Sequence, residues 1–306
     1  MSENTGIEWC DHTFNPWWGC VRVSPACEHC YAETFARRVG HRVWGVQADR
    51  RFFGDKHWDE PLKWNRAAQA DNVRKRVFCA SMADVFEDRR ELDEHRDRLW
   101  DLIDRTPALE WLLLTKRPQH ARQLTPWGRR WPENVWLGTT AEDQRRADER
   151  IPFLLDVPVK VRFVSAEPLL GPVDFGPYLQ RLHWVILGGE SGAGARSMDL
   201  AWARGVRDQV RGAGIPLFFK QWGQHAQPNG RGDQLVRVRK KNENVFDGEV
   251  IQQFPDSYVL EPEPVVEITV PKGVRLVIRH AEVASLSRQD RAKAAAFVRR
   301  LQDAAQ

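Results

Sequence analysis

The 306-residue sequence is short of several things, and each shortage removes a class of protein. No apolar run approaches the roughly 18 residues that a bilayer-spanning helix needs, so nothing reads as a membrane span. The opening residues, MSENTGIEWCDHTF, have neither a basic start nor an apolar stretch. That is not the pattern of an export signal, and a cytoplasmic location is the expectation. There is no internal repeat of short fixed period and no low-complexity tract, which leaves no case for a repeat array. Tyrosine is scarce, at 3 residues, and cysteine is limited to 5, an odd number. Three of the five fall within eleven residues, and such a cluster in a chain without an export signal reads as metal ligation or redox chemistry before disulfides.

What remains is a globular composition. Apolar residues make up 42% of the chain, enough for a sizeable core, and charged residues 29%. The net charge of +4 and pI near 8.9 are mildly basic, compatible with a nucleic-acid partner and equally with none. Tryptophan, at 14 residues, is the conspicuous excess. Most of these rings belong in core or rim packing, and some are candidates for stacking on bases.

From residue 75 onward, short apolar runs recur: Arg76–Ser81, Glu110–Thr115, Asn134–Thr139, Lys160–Ser165, His183–Gly188 and Pro216–Lys220. They alternate little in polarity, as strands buried on both faces of a parallel sheet do. Helical patterns separate several of them. Leu92, Leu99 and Ile103 share one face, as do Trp202, Val206 and Val210, with Gly212 and Gly214 placed to end the second helix. With a further strand near Ile7–Phe14, the units predict a full or partial TIM-type β/α barrel of parallel strands over residues 1–225. An open doubly wound sheet is the alternative. Residues 226–306 read as a small α+β appendage packed on the barrel. It comprises a Gly-, Pro- and Arg-rich loop over Gln224–Lys241, a hairpin of Val265–Val270 and Val274–Ile278 about Pro271-Lys272-Gly273, and a final helix bearing Ala294, Phe297, Val298 and Leu301. The basic run Arg237–Lys241 reads as a solvated loop or a phosphate contact.

Polar residues follow almost every strand: Ser81 and Asp84, Lys116 and Arg117, Thr139, Thr140 and Glu142, Ser165 and Glu167, Gly188, Gly189 and Glu190, Lys220 and Trp222. In parallel α/β folds these ends converge on one face, where ligands bind. Ser, Thr and Asp there are also ordinary helix caps. Lys116, Glu167 and Glu190 are harder to dismiss, because charge at a barrel mouth is costly unless paired or used.

The decisive segment is Trp17–Tyr31, with cysteines at Cys20, Cys27 and Cys30 in a C-x6-C-x2-C spacing. Three thiolates can hold three irons of a [4Fe–4S] cluster and leave the fourth open to a small molecule. In radical S-adenosylmethionine (SAM) chemistry, that molecule is SAM, with an electron donor such as flavodoxin or ferredoxin as partner. The common radical SAM spacing is C-x3-C-x2-C, so the first gap here is three residues longer. A structural zinc site, with Cys10, His12 or His29 as fourth ligand, and a non-catalytic nucleic-acid-binding role are the competing reading. Cys79, inside a strand run, reads as a buried small residue or a radical relay.

The stretches HTFNPWWGCVRVSPACEHCYAE, LLLTKRP, SAEPLL, LGGESG and FFKQWG resemble a family of phage-associated three-cysteine proteins with a radical SAM-like character. The resemblance covers most of residues 5–255 and implies a barrel with the cluster at one mouth, ligated by Cys20, Cys27 and Cys30. It implies an aromatic beside the last cysteine, here Tyr31. It also puts Ser81-Met82-Ala83-Asp84 where the methionyl amino group of SAM is met, with Asp84 as the candidate. Gly188-Gly189-Glu190 resembles the usual form of that motif but falls several strands later, where its glycines would let backbone approach adenine or ribose. Ser165 and Glu167 are candidates for the SAM carboxylate or ribose. Lys116 and Arg117 would pair with a carboxylate or a substrate phosphate, or simply with Glu142 or Glu167, and Arg117, Glu142, Lys220 and Trp222 are candidates for the substrate side. The phage setting points to a nucleotide, DNA or RNA in base modification or repair, with a peptide or small metabolite as the alternative.

Overall fold

The computed structural model describes residues 5–192, 194–226, 236–237, 244–255, 265–270 and 274–279. Seven parallel strands form its centre: β1 (His12–Thr13), β2 (Lys75–Cys79), β3 (Leu109–Thr115), β4 (Val135–Thr140), β5 (Val161–Ala166), β6 (Trp184–Gly188) and β7 (Leu217–Gln221). Their spatial order is their chain order, with every neighbour parallel and no pairing between β1 and β7. The order never reverses, so the sheet is a partial barrel wound in one sense, and the doubly wound alternative falls away. All six apolar runs became strands, shifted by a residue or so, and the first strand shrank to two residues within Ile7–Phe14.

The strands are apolar on both faces because each face meets a different core. Val77, Leu113, Leu137, Val164, Val185 and Phe219 point to the helical side, where they join α4 (Asp93–Asp104), α5 (Gln144–Leu155) and α6 (Leu200–Gly212), which follow α1 (Tyr31–Arg38), α2 (Asp55–Trp58) and α3 (Glu60–Ala70) in the chain. Their chain neighbours Phe78, Leu112, Trp136, Phe163, Trp184 and Phe218 point the other way, with Trp9, into the concave side. This period of two is the pleat of the sheet. Trp184 is the hub, with ring centroids 5.7 Å from Phe163, 6.0 Å from Trp136 and 6.3 Å from both Trp9 and Phe218. The aromatic plug accounts for part of the tryptophan excess. Ten of the fourteen tryptophans are buried, and the other four, Trp18, Trp44, Trp127 and Trp202, are half-buried.

The helices form where the apolar spacing predicts. Leu99 and Ile103 of α4, and Val206 and Val210 of α6, are fully buried. Asp143 caps α5 by accepting the Arg146 amide at 2.8 Å, and Asp199 caps α6 by accepting that of Ala201. The connections after β3 and β5 carry only short 3-10 turns, at Pro118–His120 and Leu179–Arg181.

The free edge of β7 is covered from further along the chain. The Phe219 amide donates to the Ile251 carbonyl at 2.7 Å, and the Gln253 amide to that of Leu217 at 3.0 Å. Phe246 packs on Phe219 and Trp222, and Phe254 on Trp184 and Phe218. Residues 244–254 therefore sit against the barrel rather than apart from it, closing an edge that would otherwise pair with other chains. The hairpin is present as Val265–Val270 paired with Val274–Arg279. Gln224–Lys241 includes a short ribbon of His225–Ala226 and Val236–Arg237. The expected C-terminal helix, and most of the run Arg237–Lys241, lie outside the described residues. Among the described residues no helix is long and apolar enough to cross a membrane.

Candidate cofactor site at the strand ends

Strand β1 leads directly into the cysteine loop. Gly19 pairs with Ala83 beyond β2 and donates its amide to the Met82 carbonyl at 3.0 Å. Its φ is +118°, and a Cβ there would come within 2.3 Å of the Val43 carbonyl, so only glycine fits. Cys20 follows at once, Cys27 closes the 3-10 turn Pro25–Cys27, and Cys30 is the residue before α1 (Tyr31–Arg38). The three thiols are free and half-buried, and all three line one cavity of about 500 Å³ at the C-terminal ends of the strands.

Three carboxylate–arginine pairs hold this loop. Asp84, after β2, takes Arg117 Nη1 at 2.8 Å, and the same guanidinium donates to the Val21 carbonyl at 2.8 Å and to Cys20 Sγ at 3.6 Å. Glu142, after β4, takes Arg150 at 2.8 Å and accepts the Ala26 amide at 3.4 Å. Glu190, after β6, takes Arg196, which reaches the Pro25 carbonyl at 2.9 Å and Glu28 at 3.1 Å. Burial alone would raise each carboxyl. The paired arginine, together with the other hydrogen bonds and charges around each group, outweighs it and holds Asp84, Glu142 and Glu190 below the usual carboxylate range. Burial pushes the Cys20 thiol up to about 12, with Arg117 pulling the other way.

The expected ligand residues thus divide. Tyr31, Ser81, Asp84, Lys116, Arg117, Ser165, Glu167, Gly189, Glu190 and Lys220 all line the cavity. Asp84 and Glu190, however, are consumed in holding the loop. Asp84 accepts from Thr115, Arg117 and the amides of Phe86 and Lys116, leaving no lone pair for an amino group. Glu142, Gly188 and Trp222 stand behind the wall. Trp222 is fully buried and its indole N–H is spent on the Val245 carbonyl at 2.7 Å. Gly189 is glycine for a reason other than room for a ligand: a Cβ would fall 1.9 Å from the Trp222 carbonyl oxygen.

The cavity face that remains has open donors. Lys116, Thr140 and Ser165 end three adjacent strands in one row, since Thr115 pairs with Thr139 and Thr140 with Ser165. Thr140 Oγ1 is buried without a hydrogen-bond partner, as is Trp9 Nε1 on the same cavity. Glu167 and Lys220 pair with each other on the far side. Tyr31 donates its hydroxyl to the Ser81 carbonyl at 2.9 Å. Ser81 is held by Asn15, whose Nδ2 donates to its Oγ at 3.0 Å and whose Oδ1 accepts the Met82 amide at 2.7 Å. The sequence reading missed Thr140 as an open donor, and it missed Asn15 and Trp9 altogether. The Thr139-Thr140 doublet at a strand end was the available signal. Arg196 gave none, because it acts across a loop from its partner.

The competing fourth ligands stand as follows. Cys10 Sγ turns to the Ile7 carbonyl at 3.7 Å within the aromatic plug and does not line the cavity. His12 stacks on Trp64 at 4.4 Å. His29 does line the cavity. Among the described residues no three His, Cys, Asp or Glu side chains, Cys20, Cys27 and Cys30 included, gather around one point as a single metal ion requires. Cys79 is fully buried in the helical-side core and is absent from the cavity wall, and burial raises its thiol.

The profile of one family, described as a protein of unknown function (DUF5131), matches residues 4–255. The chain belongs to the DUF5131 family. In this DUF5131 protein the match takes in the whole barrel and the segment that covers β7. No curated protein matches it. Among solved structures, one similar chain is a spore photoproduct lyase double mutant with bound AdoMet and dinucleoside spore photoproduct. It is 12% identical, with 94% of this chain and 72% of that chain covered and a TM-score of 0.41. Spore photoproduct lyase complexed with dinucleoside spore photoproduct is also 12% identical, over 93% and 71%, with a TM-score of 0.37.

Proposed function

We propose that this DUF5131 protein is a radical SAM enzyme whose Cys20, Cys27 and Cys30 hold a [4Fe–4S] cluster. The observation that carries the reading is a convergence. Three cysteines of one loop, the buried unpartnered hydroxyl of Thr140 and its neighbours Lys116 and Ser165 on the adjacent strand ends line a single cavity. The residues fit the group. The donor set is three thiols, with Cys10 and Cys79 turned into apolar cores, so an iron would be left without a protein ligand and open to the cavity. Bound together, the cluster and SAM supply reductive C–S cleavage and a carbon radical able to take hydrogen from a substrate.

The chain's own residues do the rest. Arg117, Glu142 and Arg196 hold the cysteine loop in place before anything binds, so little ordering cost falls on assembly. Lys116 offers a cation to a carboxylate, and Thr140 and Ser165 beside it offer hydroxyls to the same group or to a ribose. The aromatic plug closes the cavity from below and excludes water from that side. On the substrate side, the net charge of +4 and the exposed Arg38 and Arg42 beside the cysteine loop and α1, with Arg22 and Arg37 shared with Glu33, suit a nucleotide or nucleic acid. The buried tryptophans lend nothing to that choice.

The test is cleavage of SAM by reconstituted protein under a strong reductant, read as 5′-deoxyadenosine by chromatography. Formation by the wild type, and loss on replacing any one of Cys20, Cys27 and Cys30 with Ala, is the expected result. Equal yield from the wild type and a Cys20→Ala/Cys27→Ala/Cys30→Ala triple variant would contradict the reading.

A further inference from the structure

Arg117 is a buried guanidinium aimed at one cysteine of the three. Its side chain is 8% exposed and that of its partner Asp84 is 7%. Nη1 is shared between Asp84 at 2.8 Å and Cys20 Sγ at 3.6 Å, while Nη2 is fixed on the Val21 carbonyl at 2.8 Å. The Asp84 carboxylate is itself fixed by Thr115 Oγ1 at 2.7 Å and by the Phe86 and Lys116 amides, both at 3.1 Å. The Arg117 amide closes the array on Thr115 Oγ1 at 2.8 Å. Neither Cys27 nor Cys30 has such a neighbour among the described residues. Cys27 lies 3.9 Å from the Ser24 hydroxyl, and Cys30 meets no side-chain donor there.

We infer that Arg117 is a positioning residue that raises the reduction potential of a cluster ligated by Cys20. The inference rests on the proposed cluster reading. A hydrogen bond and a fixed positive charge at a ligating sulfur stabilise the reduced form, which carries one more negative charge, over the oxidised form. Hydrogen bonds to the sulfurs, net charge and solvent exposure are the established levers on such potentials. The array is asymmetric, so it acts on the corner nearest β2 and β3 rather than on the cluster as a whole. Its rigidity matters as much as its charge, because a guanidinium held by the Asp84 carboxylate and the Val21 carbonyl keeps its N–H on the sulfur instead of turning to water.

The experiment is a redox titration of the full-length, anaerobically reconstituted protein, monitored by electron paramagnetic resonance. It compares wild type, Arg117→Gln and Arg117→Lys. At the potential where half of the wild-type cluster is reduced, the ratio of reduced to oxidised cluster should fall about tenfold in Arg117→Gln, a midpoint lower by 59 mV for one electron. Arg117→Lys should fall in the same direction by less, and it carries the readout if Arg117→Gln fails to take up iron. A merely structural role predicts the opposite sign, since a loosened loop admits water, which favours the more negative reduced form. Midpoints unchanged or raised in both variants would overturn the inference. A wild-type protein that takes up no cluster would overturn the reading beneath it instead.

Discussion

Lys116 is the residue on which ligand binding should turn. Arg22, Arg117, Lys220 and Arg196, the other Lys and Arg side chains on or beside the cavity, already face carboxylates, whereas Lys116 meets none at ion-pair distance among the described residues. A charge-assisted contact to a ligand carboxylate is worth about 1.5–3 kcal/mol. Lys116→Gln should therefore weaken SAM binding roughly 10- to 100-fold, measured by calorimetry, while leaving the iron content of reconstituted protein unchanged. Equal affinity in the variant would move the carboxylate elsewhere in the cavity. At this scale the sequence was a fair guide to which residues reach the cavity and a poor one to what they do there. Asp84, Glu142 and Glu190 are acidic residues past strand ends, and nothing in a sequence distinguishes a carboxylate that greets a ligand from one that ties down a loop. The distinction lies in Arg117, Arg150 and Arg196, which come from other positions in the chain.

The cysteine loop and the elements that grip it form the next level. Glu142 is fully buried against Arg150, itself only 5% exposed, and both are spent on the chain around Ala26 and Thr140. Removing one partner of such a pair leaves a buried charge without compensation, at a cost of about 3–5 kcal/mol. Arg150→Met should show that loss in urea denaturation, and the double variant Arg150→Met/Glu142→Gln should recover a good part of it. A single variant as stable as wild type would mean that the pair does not hold the loop. The six apolar runs were legible because strands covered on both sides leave a signature few other segments share. The connections after β3 and β5 were not, since 3-10 turns of three residues carry no periodicity to read.

For the whole molecule, the period-two division of each strand between a helical core and an aromatic plug makes a half-closed barrel with one polar end. That end carries the cysteine loop, and exposed arginines flank it. If the substrate is a nucleic acid, affinity should fall steeply with salt, since phosphate contacts release counterions. Binding of a short DNA duplex and of single-stranded DNA, followed by fluorescence anisotropy from about 50 to 200 mM salt, should show that slope, and Arg38→Glu/Arg42→Glu should flatten it. A salt-independent affinity would favour a small uncharged substrate. The global architecture was readable because polar residues after almost every strand imply a single functional face. The segment covering β7 was not, because residues 244–254 carry too short a pattern to separate from a loop. The central claim is that Cys20, Cys27 and Cys30 hold an iron–sulfur cluster open to SAM. Its most direct test is iron and sulfide analysis of the reconstituted protein, with electron paramagnetic resonance of the reduced form before and after adding SAM. About four irons per chain and a reduced signal that shifts with SAM, both lost in the Cys20→Ala/Cys27→Ala/Cys30→Ala variant and kept in Cys10→Ala, is the predicted result. A colourless protein with one tightly held zinc ion, lost on replacing Cys10, would contradict it.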